Sequence, residues 1–426
     1  MKSGRVKLGR VFLFVFLIAT GAFDGVLSVS ADSHQVYPGE SIQDAVDAAE
    51  PDDIVFVHSG TYYENVNVTK RLILQGADLE LGLPVVDAGG NGSAITLSAD
   101  WIFIQAFTAT NSGDYPEAGI KAISNGNTIK YCNASGNHND GILLSAASRF
   151  NSLINNTAND NAGNGIKLYN SSNNTLRGNN ASANDNNGLY LYDSSNNNTV
   201  INNTVSNNDA HGISLYHSNN NNLTDNSASS NVNQSGIYLA HAHNNTITAN
   251  KATGNWHGIF FLYSNSNNLT GNSASNNTVA IRIDYSHNNI ITNNTASDST
   301  GGSVSLGDGF SLSHSSNNTL TGNTVGDNFR GIYFWYATNN TLTANNVTDN
   351  HNTGILLEDS SNNNTIQSNN VSSNGYHGIE LSSSKNNSLT TNSVSDNHVG
   401  ISIDSSSSHN TVSANNVSFN TDGISV

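Results

Sequence analysis

The sequence predicts an all-β chain wound as a parallel β-helix, one solenoid in which about 23 residues make each coil. Three observations predict it. A Gly-Ile dipeptide, with Leu or Phe allowed in second place, recurs at Gly119, Gly141, Gly165, Gly188, Gly212, Gly236, Gly258, Gly309, Gly331, Gly354, Gly378, Gly400 and Gly423, and Ala280 stands in once. The steps are 22, 24, 23, 24, 24, 22, 22, 29, 22, 23, 24, 22 and 23 residues. Apolar residues lie one and three places after each glycine, as in Ile166 and Leu168 or Ile259 and Phe261, so both point to one face of a short strand. Two further strands are marked in every period, one by Leu176, Val200, Leu223, Ile247 and Leu269, the next by Ala181, Val205, Ala228, Ala252 and Ala274. A chain that is 36% apolar, 11% charged and rich in Asn and Ser would otherwise read as disordered, and the period excludes that.

In chain order, Met1 to Ala31 reads as a secretory signal. Lys2, Arg5, Lys7 and Arg10 precede an apolar stretch from Val11 to about Ala22, and Val29-Ser30-Ala31 fits a cleavage site. The competing reading of this segment is a membrane anchor. With the single cysteine Cys132, the exported chain forms no intrachain disulfide, so stacking must supply its stability.

Residues 32–52 form the expected N-terminal cap. Within it, Ser41 to Ala49 reads as a short amphipathic helix, with Ser41 as N-cap and Ile42, Ala45, Val46 and Ala49 on one side, and Pro51 ends it. A helix here covers the unpaired edge of the first coil. The solenoid occupies residues 53–426, a rod of about 80 Å at the usual strand spacing. Its last glycine, Gly423, lies three residues from Val426 with no covering element. Either a partner chain covers that edge or the sequence is a shortened member of a longer type.

Each coil offers only a few apolar side chains, so the core is expected as continuous columns, with Ile142, Ile166 and Leu189 in one of them. The Asn runs fall between strands, where Asn tolerates left-handed backbone. Asn226, Asn250, Asn272, Asn294, Asn323 and Asn345 recur at one phase and are expected to form a side-chain amide ladder.

"SIQDAVDAAEPDDIVFVHSGTYYENVNVTKRLILQGAD", "PVVDAGGNGSAITLSADWIFIQAFTATNSG" and the "GIxLxxSSNNTLxxNxxSxN" coils resemble the right-handed parallel β-helix family, which has carbohydrate-binding and sugar-hydrolase relatives. Within it the chain resembles the NosD-like periplasmic copper-binding accessory proteins linked to nitrous oxide reductase, and the related surface proteins of methane-producing archaea. The resemblance covers nearly all of the mature chain and implies a right-handed coil. It is specific for fold and weak for function, because the matching residues are those that build coils.

Residues two, four and five places after each glycine are expected on the outer face. There Phe260, Arg282 and Tyr333 fall at the second place, Asp284 and Trp335 at the fourth, and Tyr263, Tyr285 and Tyr336 at the fifth. This band of rings, acids and hydrogen-bonding tips is the expected binding surface for a polysaccharide or cell-surface glycan. The bland reading is that aromatic residues favour strands and stack across neighbours. The long step places "SDSTGGSVSLGDG", Ser297 to Gly309, beside the band as a loop.

Two further chemistries are weighed on the same face. The relatives' enzymes carry acids on an outward strand face, and here Glu358, Asp359, Glu380 and Asp404 occupy three successive coils, Glu358 and Asp404 in one column. They show no Asp-Asp cluster with flanking Lys or Arg, so no catalytic residue is assigned. Hydrolase, lyase or epimerase action on a polysaccharide stays as the alternative function. Copper, implied by the family name, directs attention to His217, His241 and His243, but Met and Cys donors are missing around them, so no metal ligand and no cofactor is assigned. The net charge of −17 argues against nucleic acid and anionic lipid as partners. Asn-x-Ser/Thr triplets, as at Asn67, Asn133 and Asn416, are acceptor sites in principle for an exported chain, though most are by-products of the repeat. The expected protein is thus an exported, non-catalytic surface or periplasmic solenoid that binds glycans or serves a structural role, with a copper-binding accessory role as a further alternative.

Overall fold

The computed structural model describes residues 31–77, 82–145, 147–299, 301 and 307–426. Residues 1–30 of the expected signal segment and six residues of the long insertion, 300 and 302–306, lie outside them. The chain winds as a right-handed parallel β-solenoid, and all strand pairs that stack its coils are parallel. The strands after each Gly form a first sheet of sixteen, from Val66–Val68 to Asp422–Ser425. A second sheet of seventeen runs from Ser33–Val36 to Thr411–Ser413. A third, of ten, runs from Thr204–Ser206 to Asn416–Ser418. Single-residue bridges through Asn133, Thr157 and Asn180 continue its line back to a three-stranded group ending at Thr108–Thr110.

Stacking explains how so polar a sequence folds. In one coil Ile259, Phe261, Leu269 and Ala274 are completely buried. Burying a large apolar side chain contributes about 1.5–3 kcal/mol, whereas ordering each of some twenty residues costs roughly 1–2 kcal/mol. A lone coil therefore cannot stand, and neighbours must share their faces. They do: Ile142 registers on Ile166 and Ile166 on Leu189, as expected, and one core cluster runs from Val36 to Ile401.

Helix α1, Ile42–Ala48, forms as expected. The Asp44 N–H donates to the Ser41 hydroxyl at 3.1 Å, and the Glu64 carboxylate accepts from the N–H groups of Ile42 and Gln43 at 2.7 and 3.0 Å. These satisfy first-turn donors that would otherwise lack partners. Ile42, Val46 and Ala49 are buried against the first coil. Ser33–Val36, inside the expected cap, is itself a strand paired to Ile54–Val57.

The amide ladder is present, and it is one of three. The amide of Asn226 donates to Asn250 at 2.9 Å, Asn250 to Asn272, Asn272 to Asn294 and Asn294 to Asn323 at 3.0 Å each, and Asn323 to Asn345 at 2.9 Å. A second ladder passes through Asn245, Asn267, Asn289 and Asn318, and a third through Asn184, Asn208, Asn231 and Asn255. Buried amides linked in this way answer the polarity of the chain: the rungs leave each turn with its donors and acceptors paired, Asn221 Nδ2 being the exception among the described residues.

The third ladder also explains the repeating glycine. A Cβ on Gly165 would stand 2.8 Å from the Asn184 amide nitrogen, and one on Gly258 2.8 Å from that of Asn277. Ala280 carries a real Cβ, and nineteen residues on, where the ladder expects Asn, the chain has the shorter Ser299. The two exceptions compensate each other. Ser299 keeps the main-chain rung, its N–H donating to Asn328 Oδ1 at 3.0 Å, but its own hydroxyl has no partner.

Candidate functional site

The outer face of the first sheet holds the predicted residues in strict columns. Register carries Phe260 onto Arg282, Leu262 onto Asp284 and Ser313 onto Trp335. One place further, at the strand end, His217, His241, Tyr263, Tyr285, His314 and Tyr336 all sit in left-handed backbone, with φ of 49, 50, 49, 48, 48 and 49°. Bulky side chains seldom adopt this conformation. It turns all six rings into one row. Centroids follow at 4.8, 5.1, 5.0, 4.7 and 5.0 Å, with interplanar angles of 9, 9, 22, 17 and 26°. A row of tyrosines, Tyr169, Tyr192 and Tyr216, leads into it at 5.7 Å steps, and Tyr216 meets His217 edge-on.

An aromatic band usually offers open ring faces to sugars, but within this row each face covers its neighbour. Edges meet solvent instead, and Tyr263, Tyr285 and Tyr336 remain 43, 40 and 42% exposed. Trp335 stands beside the row, edge-on to His314, and its indole N–H donates to Asp359 at 3.0 Å.

The charged residues gather in two clusters next to the row. Arg282 donates to Asp284 at 2.8 and 2.9 Å, lies over the Phe260 ring at 5.3 Å and contacts His257 at 3.4 Å. Burial, then Arg282 and His211, push the His257 imidazole down to about 3. Burial raises Asp284 above the usual carboxylate range, with Arg282 pulling the other way, and its Oδ1 has no partner. In the second cluster Arg330 grips Asp308 at 2.7 and 3.0 Å and lies 3.6 Å from the Tyr333 ring centroid, while the Tyr333 hydroxyl donates to Glu358 at 2.7 Å. Sequence reasoning passed over His257, Asp308 and Arg330. They occupy the place just before each Gly, an outward column that counting forward from the Gly leaves out. Arg282 is therefore not the one arginine on this face.

The carboxylates weighed for catalysis are engaged elsewhere. Asp404 accepts from the Ser382 and Ser407 hydroxyls and the Ser383 and Ser406 N–H groups, which makes it the anchor of a turn. Burial opposes its ionisation, but these bonds, led by Ser407, hold it below the usual range. Glu380 accepts from Thr353 and contacts His377 Nδ1 at 2.7 Å.

The copper expectation is tested on the donors themselves. All 14 histidines and Cys132 lie among the described residues. His217 and His241 are stacked parallel, so the lone pairs in their ring planes cannot converge on one ion. His243 spends Nδ1 accepting the Asn265 N–H at 3.0 Å, as His287 does for Ser316 and His211 for Ser235, both at 3.1 Å. Burial drives the Cys132 thiol up to about 12, far from the thiolate that binds metal. Among the described residues no three His, Cys, Asp or Glu side chains converge. The donors do not fit a copper ion.

A family model described as periplasmic copper-binding protein (NosD) matches residues 87–251, 230–370 and 305–426. No curated protein sequence matches the chain. Among solved structures, the Azotobacter vinelandii mannuronan C-5 epimerase AlgE4 A-module is 16% identical, covering 87% of this chain and 94% of its own, with a TM-score of 0.46. A point mutant of the periplasmic alginate epimerase AlgG is 13% identical over 76% of each chain, TM-score 0.41. The enzymatically active domain of Bacteriophage CBA120 tailspike protein 2 is 14% identical over 70% of this chain and 48% of its own, TM-score 0.45. The family matches together run from residue 87 to the last residue, and with the coils described above they establish that the chain belongs to the NosD family of right-handed parallel β-helix proteins.

Proposed function

We propose that the protein is an exported periplasmic or cell-surface solenoid that binds a polysaccharide along its ring row without chemical turnover. One observation carries this reading: six consecutive coils place an aromatic ring in left-handed backbone. Strained positions of this kind cost about 1–3 kcal/mol each, and a stacked aromatic contact returns about 0.5–1.5 kcal/mol beyond the area it buries. The row holds its rings against that strain while Tyr263, Tyr285 and Tyr336 keep 43, 40 and 42% of their surface open. What the row adds is a line of phenol and imidazole edges, which suit sugar hydroxyls. Arg282 with Asp284 and Phe260, and Tyr333 with Trp335, form the flank on which orientation is set. The family's periplasmic description and the signal-like Met1 to Ala31 support export.

The test is a polysaccharide array probed with the purified protein, followed by an assay of the bound glycan for new reducing ends or unsaturated products. Binding without products, weakened by Tyr285→Ala and by Trp335→Ala, is expected. Products would convert the reading to an enzyme. Binding untouched by either substitution would return the row to plain strand packing.

A further inference from the structure

We infer that the bound glycan is an extended, equatorially linked pyranose chain laid one sugar to a coil; this rests on the glycan-binding reading above and names its ligand class. The carrying observation is the pitch of the row. Its five steps, between 4.7 and 5.1 Å, are set by main-chain bonding between parallel strands, so the row can neither stretch nor compress. The rings stay stacked through all five steps, with interplanar angles of 26° at most, so the row is unbroken over six coils.

Along that line each coil presents one polar edge. Tyr263, Tyr285 and Tyr336 offer hydroxyls that donate and accept, and His217, His241 and His314 offer ring nitrogens. Within the row, Ser313 touches His314 Nδ1 at 2.9 Å, and Tyr263, Tyr285 and Tyr336 are exposed. A ligand that satisfies the row must repeat its hydroxyls at the same pitch and keep to its line. A pyranose chain joined 1,4 through two equatorial bonds is a flat ribbon that advances about one sugar ring per residue, close to the spacing of one coil. Chains joined 1,4 through one axial and one equatorial bond, as in malto-oligosaccharides, curl away from a line within a few units, and 1,6-linked chains are too long and flexible for each unit to keep register. Because the ring faces are covered, stacking cannot rescue a chain whose hydroxyls fall out of step. Linkage geometry, read through pitch, becomes the basis of selection. Linked contacts then add with chain length until the row is filled.

Calorimetric titration with β-1,4-linked glucose, N-acetylglucosamine and uronate oligosaccharides of two to eight sugars tests this, with malto- and isomalto-oligosaccharides alongside. At least one β-1,4 series should tighten severalfold with each sugar up to six and then level off. Tyr285→Phe, which removes a hydroxyl but keeps the ring, should weaken the six-sugar ligand about fivefold while circular dichroism and melting stay unchanged. Affinity that stops rising at two or three sugars, or malto-oligosaccharides that bind with the same length dependence, would overturn the one-sugar-per-coil inference and leave glycan binding standing. No binding by any series or on any array overturns both.

Discussion

Asn250 measures what the amide ladders contribute. Its side chain is 1% exposed and makes five hydrogen bonds: Oδ1 accepts from the Asn226 N–H and amide at 2.9 Å each, and Nδ2 donates to the carbonyls of Leu223 and Thr248 and to Asn272 Oδ1 at 2.9, 3.0 and 3.0 Å. Asn250→Ala strands the buried Asn226 N–H outright, which costs about 1–3 kcal/mol, and deletes four bonds worth about 0.5–1.5 kcal/mol each where partners remain. Asn226 Nδ2 does keep Val200 O, and Thr248 O keeps the Asp225 N–H. Discounting the bonds with such surviving partners leaves a loss of about 4 kcal/mol. Asn250→Asp keeps the shape but removes three donations and buries a charge, so it should be at least as damaging. The control is Asn244→Ala, an exposed residue in left-handed backbone at φ 56°, where about 1 kcal/mol of backbone preference is at stake. Urea denaturation gives the free energies. Hydrogen exchange around Asn226 to Asn272 shows whether the solenoid opens locally before it unfolds. If Asn250→Ala and Asn244→Ala lower stability equally, the ladder is decoration and the reasoning fails.

Acid should weaken the fold through His211, whose Nδ1 accepts the Ser235 N–H of the next coil. Burial holds His211 down at about 4, so between that value and the unfolded 6.5 the unfolded chain binds more protons, and stability falls as pH drops through this window by up to about 3 kcal/mol. His211→Asn keeps an acceptor for the Ser235 N–H but does not titrate, so it should flatten this part of the pH–stability curve; an unchanged slope would assign the effect to other groups. Ile259→Asp places a carboxylate between Ile237 and Ile281 in the core column and should abolish the cooperative thermal transition; unchanged melting would contradict the column. Copper retained after dialysis against a weak chelator should fall far below one ion per chain by elemental analysis, and stoichiometric retention would show that the donor argument missed a site.

The coil was legible because its core repeats in a single phase, and Ile166 above Leu189 needs no more than a count of spacings. The ladders were half legible. One was read from Asn226 to Asn345, but in the Asn-Asn pairs one residue faces solvent in left-handed backbone and the next is a buried rung, as with Asn244 and Asn245, and composition does not separate them. The columns on which the candidate residues stand were legible, whereas the direction of their rings was not, because it depends on a left-handed turn at the fifth place that the sequence does not announce. His257, Asp308 and Arg330 escaped for a simpler reason: they precede the landmark from which the columns were counted.

In a solenoid the regular positions specify stacking, so function has to be sought where the repeat departs from what stacking requires. Ala280 with Ser299 is a departure that closes on itself, one contact exchanged for another. The ring row does not close in this way. At the same place in other coils Asp193, Asp359 and Ser383 hold the same left-handed turn, with φ of 48, 47 and 50°. A small polar residue is thus sufficient for the fold at this place, and Asp tolerates the conformation better than Tyr or His does. Six rings in succession exceed that need, and each is held against the strain of the left-handed turn. The surplus is a fixed-pitch line of hydrogen-bonding edges, and a ligand with the same pitch is the simplest account of why it was built.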